Sequence, residues 1–456
     1  MSLSLANLKS WYEKHEKQIL DDFFTFLRFK GISTDPAFRK PCLDTADFLV
    51  QYLTNIGMKV TLWDNPGLPV VFAQHISGKD RPTVLIYQHY DVQPVDPIEL
   101  WNSDPFEPVI KEGKVYARGA SDNKGQCFAS ITALKAALEM FKDLPVNIKL
   151  FIEGEEESGG AGTQVTIEEK KEYLKADYVL VIDFDMPKKD RPGITLGMRG
   201  IATYNIECQN SRQDLHSGVH GGLALNPIRA LVDVFAKMWD ENGTIAIPHF
   251  YDEVKSFPKE DREMLNLEFD KEAYVKDFGV KAFCNEKGQS LKESNWLRPA
   301  LEINGLWGGY TGIGFKTVIP AKAYAKLSCR IVPGQDPDKI EENIRVFLQN
   351  NIASGIEIDI QAHHSALAFR TTIESKVINI VSKSQKEVFG VDPEFTLCGA
   401  SVPIVTDLAR VTGAEVALFG TSLSSDDFHS PNEHFGLDRL YQGYMTMARI
   451  LAHLAE

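Results

Sequence analysis

The chain has 456 residues, more than one hydrophobic core usually supports, so we expect two domains. Its 43% apolar and 25% charged residues are typical of an ordinary soluble globular protein. The net charge of −14 argues against a nucleic-acid partner, because phosphate binding needs clustered Lys and Arg.

The N-terminal segment predicts an amphipathic helix rather than a targeting signal. It lacks the charged region and the apolar core of a signal peptide. Apolar residues instead recur at helical spacing, at Leu5, Leu8, Trp11, Leu20 and Phe23. No apolar run approaches the roughly 20 residues that a bilayer span needs, so we expect no membrane partner. The six cysteines form no CxxC pair, and this usage fits a reducing cytoplasm better than secretion.

Residues up to about 198 alternate between strand-like and helix-like segments, which indicates an α/β layer fold. Four short apolar runs, at residues 84–87, 148–152, 178–182 and 416–419, predict buried parallel strands. One clear helix is predicted from about Lys124 to Phe141, with Phe128, Ile131 and Leu134 on one apolar stripe.

From Ile201 the pattern changes to that of a smaller α+β layer. Strands are predicted at residues 201–206, in pairs around Pro320 within 316–332, and at 356–362. Asn226-Pro227 opens a helix whose end Gly243 should directly follow, and Asp336-Pro337 opens another that runs to about residue 350. This order predicts a ferredoxin-like domain over residues 199–370, inserted into a catalytic domain formed by residues 1–198 and 371–456.

Five metal-binding side chains lie at or near the carboxyl ends of the apolar runs: His89, Asp122, Glu157, Asp183 and His429. The carboxyl ends of parallel strands form the ligand crevice of an open α/β sheet, so residues distant in sequence can meet there. Two imidazoles and three carboxylates suit a pair of divalent metals of the zinc type. Two neighbouring residues compete for the same roles, Asp185 with Asp183 and His434 with His429.

Two further carboxylates are predicted to support this centre. Asp91 points the same way as His89 on an extended chain and can hold the imidazole in one tautomer. Residues 155–157 are consecutive glutamates after a buried strand, where unpaired charge is costly. We assign Glu157 as a metal ligand and Glu156 as the general base. Taken alone, His89-x-Asp91 is more often an ordinary turn and Asp122 more often part of a capped helix start, while the glutamate run is as often a charged surface loop. The joint occurrence of these motifs in one order carries the prediction.

The same residues, in the same order, resemble the co-catalytic zinc peptidase family of glutamate carboxypeptidase, aminoacylase, succinyl-diaminopimelate desuccinylase and carnosinase. The resemblance covers nearly the whole chain. It looks closest to the cytosolic nonspecific dipeptidase and carnosinase branch, on the segments 116–125, 214–218 and 308–320 and the long acidic segment 249–296.

The resemblance implies a zinc-peptidase α/β/α catalytic domain with a ferredoxin-like lid and dimerisation domain, and a homodimer. His89 and Asp183 would hold one zinc, Glu157 and His429 the other, and Asp122 would bridge them, with Mn²⁺ or Co²⁺ as possible substitutes. Glu156 would take a proton from a bridging water, and the resulting hydroxide would attack the amide. Glu156 would then pass that proton to the leaving amine. His216 and Thr317 would reach the partner's site, Arg330 would grip the substrate carboxylate, and the Asp122–Asn123 peptide bond would be cis.

One element departs from the branch, which usually shows Arg-Glu-Gly-Gly-Ser where this chain has Leu397-Cys398-Gly399-Ala400-Ser401. Ser401 is retained as a candidate carboxylate contact. Loss of the Glu near the substrate amino group adds a second hypothesis to the leading one, and a third rests on the fact that a fold does not guarantee activity. The first is a dipeptidase for small substrates with a free carboxylate, and the second is an N-acyl amino-acid deacylase. The third is a non-catalytic metal-binding protein on this fold.

Overall fold

The computed structural model describes residues 4–141 and 144–454, and the chain divides into two compact units. The first unit comprises the residues up to 196, residues 371–396 and the residues from 403 onwards. The second comprises residues 197–370 and 397–402. No described helix combines the length and the apolar character needed to cross a bilayer.

The helices, in chain order, are α1 (Leu5–Leu27), α2 (Arg39–Asn55), α3 (Lys124–Met140), α4 (Ala161–Leu174), α5 (Ser217–His220), α6 (Pro227–Phe235), α7 (Lys259–Met264), α8 (Lys271–Phe278), α9 (Leu291–Trp296), α10 (Pro337–Asn351), α11 (Lys376–Phe389), α12 (Pro403–Thr412) and α13 (Leu437–His453). The strands are β1 (Lys59–Trp63), β2 (Val70–His75), β3 (Thr83–His89), β4 (Val109–Lys111), β5 (Lys114–Tyr116), β6 (Asn147–Glu153), β7 (Tyr178–Ile182), β8 (Gly193–Met198), β9 (Gly200–Gln209), β10 (Leu215–His216), β11 (Ala300–Gly308), β12 (Val318–Ile319), β13 (Lys322–Ile331), β14 (Glu357–Ala366), β15 (Phe369–Arg370), β16 (Glu394–Cys398), β17 (Glu415–Phe419) and β18 (His434–Gly436).

The first unit is built around a mixed sheet whose four central strands are parallel. Its order is β1-β2-β6-β3-β7-β17-β8, and the pairs β6–β3, β3–β7 and β7–β17 run parallel. The four apolar runs in the sequence correspond to these four strands, so the prediction of buried parallel strands is confirmed. Every residue of β6 and β7 is buried, which requires cover on both faces of the sheet.

Helices provide that cover, and the predicted α/β/α class is confirmed. Aromatic packing joins α1 to α3, where the Phe23 and Phe128 rings stack with their centroids 5.5 Å apart. The predicted N-terminal helix is present with Leu8, Trp11 and Phe23 buried. The helix predicted at residue 124 is α3, whose apolar stripe includes the buried Phe128.

The second unit contains a four-stranded antiparallel sheet in the order β11-β13-β9-β14. With α6 after β9 and α10 after β13, the chain order is β-α-β-β-α-β, so the ferredoxin-like prediction is confirmed. Burial alternates along β9 and β13, which means that one face of the sheet is buried and the other is mostly half-buried. Both predicted caps form, because Asn226 accepts from the Ile228 N–H and Asp336 from the Asp338 N–H.

Two local predictions in this unit are wrong. The helix opened by Asn226 ends at Phe235 rather than next to Gly243. The Asp240 carboxylate accepts from two later backbone N–H groups and turns the chain so that Ile245 enters the core. The strands around Pro320 also do not pair with each other. Instead β12 pairs with β10, while β13 pairs with β9 and β11.

Candidate metal centre

The centre lies at the carboxyl ends of the central parallel strands. His89 is the last residue of β3, and Asp183 directly follows its parallel neighbour β7. Glu157 lies in a single helical turn four residues after β6, which flanks β3 on the other side. His429 comes in the loop after β17. Side chains at these ends of adjacent strands project into one crevice.

Asp122 links two groups of three potential metal ligands. It immediately precedes Asn123 and α3, and the Asp122–Asn123 peptide bond is cis, as the resemblance implies. One group consists of His89, Asp122 and Asp183, and the other of Asp122, Glu157 and His429. In each group the ligand atoms lie within 4.8 Å of one another.

Close contacts define the first group. The His89 Nε2 atom lies 3.1 Å from Asp122 Oδ1 and 3.6 Å from Asp183 Oδ2. Asn123 donates from its side-chain nitrogen to Asp183 Oδ1 at 2.7 Å and to the Ile182 carbonyl at 2.7 Å. These bonds fix the Asp183 carboxylate so that its second oxygen faces the imidazole.

The second group is arranged similarly and is open to solvent at one side. His429 Nε2 lies 3.0 Å from Asp122 Oδ2 and 3.3 Å from Glu157 Oε2. Gln93 donates to Glu157 Oε2 at 2.6 Å. The side chain of His429 is 51% exposed, whereas that of His89 is fully buried. The two oxygens of the Asp122 carboxylate therefore face two different imidazoles, those of His89 and His429, which are 340 positions apart in the sequence.

The imidazoles and carboxylates of this cluster shift one another's pKa values. Burial alone would lower the pKa of His89, but the surrounding Asp183, Asp122 and Asp91 raise it well above its usual value. Hydrogen bonds to Asp122 and Glu157 raise the pKa of His429 to about 10. Burial, reinforced by Asp122, raises the pKa of Glu157 to about 7. A cation that binds here displaces protons from these groups, because neutral imidazole and ionised carboxylate are the ligating forms.

The donor set fits divalent metals of the zinc type. Each group offers one imidazole nitrogen and two carboxylates, which are standard zinc ligands. The Glu157 Oε1 atom is buried and accepts no hydrogen bond from any described residue. A buried oxygen without a partner is costly in a folded protein, and a cation in the second group would satisfy it.

Asp91 supports the first group from behind. It is fully buried, its Oδ1 lies 3.3 Å from His89 Nδ1, and its Oδ2 accepts from the Ser33 hydroxyl at 2.6 Å. The same Oδ2 accepts from the Glu157 N–H at 3.0 Å. Asp91 therefore contacts the backbone of one candidate ligand and the ring of another. The His89 Nδ1 atom also donates to the Asp91 backbone carbonyl at 3.1 Å, and an acceptor behind a ligating imidazole fixes its orientation and tautomer.

The three consecutive glutamates occupy three different environments. Glu155 turns away from the ligand groups towards Asn65, and its carboxylate fills the space beside Gly67 and Gly162. Glu157 joins the second ligand group. Glu156 belongs to neither group, and burial raises its pKa well above the usual range, with His89 opposing and Asp183 reinforcing the shift. A carboxyl group with a raised pKa holds a proton more readily than a solvated one, which suits a group that first accepts a proton and then passes it on.

The structure separates the competing candidates in the sequence. Among the described residues, the ligand groups contain Asp183 and His429 but neither Asp185 nor His434. His434 lies at the start of β18 and is buried, with its Nδ1 donating to the Asn432 carbonyl and its ring packed on Tyr116. The strand pairing of β18 with β5 holds it there.

The predicted substrate contacts lie in the second unit, in two pairs. Arg330 donates to the Ser401 hydroxyl at 2.8 Å. The Ser217 N–H, next to the exposed His216, donates to the Thr317 carbonyl at 3.0 Å, so His216 and Thr317 are neighbours on an exposed surface. In the element at residues 397–401, Leu397 is 7% exposed and packs beside Gly197, whereas Cys398 is half-buried.

Several supporting residues are not found by the sequence prediction. Asn123 and Gln93 hold candidate ligands by single hydrogen bonds, and Glu433 binds the backbone that carries Asp122. The only sequence signal for Glu433 is its position four residues after His429. An acidic residue in a loop is usually solvated, so its complete burial could not be inferred.

The chain is similar to proteins of one peptidase family over nearly its whole length. The sequence signature of Peptidase family M20/M25/M40 matches residues 85–453. The chain is 29% identical to the Cys-Gly metallodipeptidase dug1 of Schizosaccharomyces pombe, over 100% of this chain and 99% of that protein. The solved structure of the M20 family metallo-carboxypeptidase Sso-CP2 from Sulfolobus solfataricus matches with a TM-score of 0.86 and 32% identity, covering 96% and 99% of the two chains. Human carnosine dipeptidase 1 matches with a TM-score of 0.82 and 27% identity, covering 99% and 98%. The resemblance to the dipeptidase and carnosinase branch is confirmed.

Proposed function

The chain belongs to Peptidase family M20/M25/M40, and we propose that it cleaves the amide bond of dipeptides or similar small substrates that carry a free carboxylate. The observation that carries this proposal is the Asp122 carboxylate shared between two groups of potential metal ligands. Relatives named as a Cys-Gly metallodipeptidase and a carnosine dipeptidase support the substrate class.

We propose that two divalent ions bind, most simply Zn²⁺, with Mn²⁺ or Co²⁺ as alternatives. His89, Asp122 and Asp183 would hold one ion, and Asp122, Glu157 and His429 the other. When bound, such ions supply Lewis-acid activation of water and of the substrate carbonyl. The partly exposed His429 leaves a route by which substrate can enter.

Glu156 acts as the general base and acid in this proposal. It takes a proton from the attacking water and gives it to the leaving nitrogen, so that the amine departs in neutral form. Its environment supports the role, because a buried carboxyl group beside other carboxylates holds a proton more strongly than a solvated one. Asp91 orients His89 and takes no proton from the substrate.

Arg330 and Ser401 bind the substrate carboxylate. A guanidinium group offers two parallel N–H donors to a carboxylate, and the Ser401 hydroxyl holds Arg330 from one side. His216 and Thr317 complete the site of a partner subunit in a homodimer, where His216 stabilises the developing oxyanion. Residues 199–370 serve as the lid and dimerisation domain.

The six cysteines form no CxxC pair, and this usage supports a reducing cytoplasm as the site of action.

The element at residues 397–401, which differs from the usual sequence of the branch, favours a second substrate class. None of its five residues is charged, so the element offers no carboxylate for a substrate amino group. A substrate with an uncharged N-acyl group loses nothing there, whereas a free ammonium group lacks a partner. An N-acyl amino-acid deacylase is therefore the alternative to a dipeptidase.

An activity screen with defined metals tests both possibilities. The protein is stripped with a chelator, reloaded separately with Zn²⁺, Mn²⁺ or Co²⁺, and assayed on free dipeptides and on N-acetyl and N-succinyl amino acids. Hydrolysis of free dipeptides that depends on added metal supports the dipeptidase, and preference for the acylated series supports the deacylase. The absence of metal-dependent turnover in either series, from protein that holds two ions, would refute the proposal.

A further inference from the structure

Glu433 has a buried carboxylate whose four hydrogen-bond donors all lie in the loop that ends at Asp122. Its relative exposure is 0%. Its Oε2 accepts from the Arg118 guanidinium at 2.9 Å and from the Gly119 N–H at 2.8 Å. Its Oε1 accepts from the Ser121 N–H at 2.9 Å and from the Asp122 N–H at 3.0 Å. Four donors therefore converge on one anion, and one of them is the backbone of the shared ligand itself.

The loop that carries His429 contains three residues in an uncommon backbone conformation. Asp427, His429 and Asn432 have φ values of 55°, 62° and 67°, in the left-handed region that residues with a side chain seldom adopt. Three such residues within six positions persist only when the surrounding contacts determine them. Glu433 directly follows this segment, and Asp426 directly precedes it.

Asp426 forms a second anchor at the other end of the segment. It is 1% exposed and bonds through both oxygens to the Arg439 guanidinium. Its Oδ2 also accepts from the Ser121 hydroxyl at 2.8 Å and from the Leu423 N–H at 2.9 Å. The His429 loop is thus tied at both ends to the loop that presents Asp122, and Ser121 takes part in both ties.

We propose that Glu433 is a positioning residue that fixes Asp122 and His429 relative to each other, so that the shared centre is built before either metal ion binds. Glu433 itself lies in neither ligand group. This inference rests on the proposed function, since it assumes that the two groups bind cations. Because Asp122 belongs to both groups, loss of Glu433 weakens both binding events.

Glu433→Gln tests the inference by direct metal titration. The glutamine amide has one oxygen and one NH₂ group, so in either orientation its NH₂ faces two donors that both require an acceptor. Chelator-stripped wild-type and variant protein are titrated with Zn²⁺ against a chromophoric competitor. We expect both dissociation constants of the variant to rise about 10- to 100-fold, as for loss of other groups that orient metal ligands.

Two matched variants isolate the positioning role. Glu387→Gln removes another carboxylate that pairs with an arginine, Arg449, outside the ligand loops, and it should leave both dissociation constants unchanged. Asp183→Asn removes a ligand from the first group only, so it should weaken mainly one of the two binding events. Far-UV circular dichroism of each stripped protein verifies that it is folded at the titration temperature.

The outcomes of these titrations distinguish failure of the positioning role of Glu433 from failure of the proposed function. Wild-type Zn²⁺ constants in a folded Glu433→Gln protein would overturn the positioning role and leave the proposed function intact. A wild-type protein that binds no Zn²⁺ would overturn the proposed function first. If Glu433→Gln does not fold, Glu433→Asp keeps the charge but cannot reach all four donors, and folded Glu433→Asp with unchanged constants would equally refute the inference.

Discussion

Replacement of each of three consecutive glutamates by glutamine separates catalysis, metal binding and packing within one short stretch of chain. The substitution keeps the size of the side chain and removes its ability to carry a proton or a full charge. Glu155 contacts Asn65 and the backbone at Gly67 and Gly162, Glu156 lies beside the ligand groups, and Glu157 is a member of one. The same chemical change should therefore have three different effects.

The expected sizes follow from these environments. Glu156→Gln removes the proton carrier and should lower kcat by about 10²- to 10⁴-fold, the usual contribution of general acid–base catalysis. That loss corresponds to about 3–5 kcal/mol of barrier. Glu157→Gln removes one of the three ligands of the second group. Loss of a group that only supports a ligand lowers metal affinity roughly 10- to 100-fold, so the affinity of the second group should fall by more than that. Glu155→Gln should change kcat by less than about threefold, because its carboxylate contacts neither ligand group.

The assay combines turnover with metal content on the same samples. Each purified variant is reloaded with Zn²⁺, its bound metal is counted by atomic emission, and kcat is measured on the best substrate from the metal screen. Glu156→Gln should contain as much metal as the wild type and be nearly inactive. Glu157→Gln should lose metal from one position.

A single result would refute the assignment of the base. If Glu156→Gln kept more than about a tenth of wild-type kcat while fully loaded, proton transfer would have to occur elsewhere, since the general-base contribution is at least about a hundredfold. If Glu155→Gln proved to be the inactive variant, the orientations of the three side chains would be wrong.

Four further outcomes are expected. Chelation should lower Tm by on the order of 10 °C. Each ion, at a hundred times its Kd, adds about 2.7 kcal/mol to the free energy of unfolding, and each kcal/mol raises Tm by roughly 2–4 °C. An unchanged melting curve would contradict a cation-filled centre. Arg330→Met should raise KM about 10- to 100-fold for substrates with a free carboxylate and leave C-terminally amidated analogues unaffected, because only the former bond to the guanidinium. Cys398→Glu should shift the ratio of kcat/KM towards free dipeptides over N-acetyl amino acids by about tenfold, by giving the substrate ammonium a partner, and no shift would place position 398 outside the site. Phe128→Ala should lower the free energy of unfolding by about 3–5 kcal/mol, because it removes a buried ring stacked on Phe23, and denaturant titration of chelated protein would detect this without interference from metal binding.

The sequence by itself determined the elements whose signals are local. Four apolar runs predicted the four parallel strands, because a strand buried on both faces needs apolar residues at every position. Asn226-Pro227 and Asp336-Pro337 marked the starts of α6 and α10, because the cap residue satisfies a nearby backbone N–H. The positions of metal-binding residues after successive strands predicted that side chains from distant segments would meet in one crevice.

Only the tertiary structure decided features that depend on contacts between distant segments. The choice of His429 over His434 follows from the pairing of β18 with β5, which turns His434 away from the ligand groups among the described residues. The helix after Asn226 ends early because Ile245 enters the core, a gain that local helix propensity does not contain. Glu433 illustrates the same limit, since its four donors are more than 300 positions away in the chain. The free energy of such a contact depends on which groups the fold brings together, and a local pattern of residue types does not specify that.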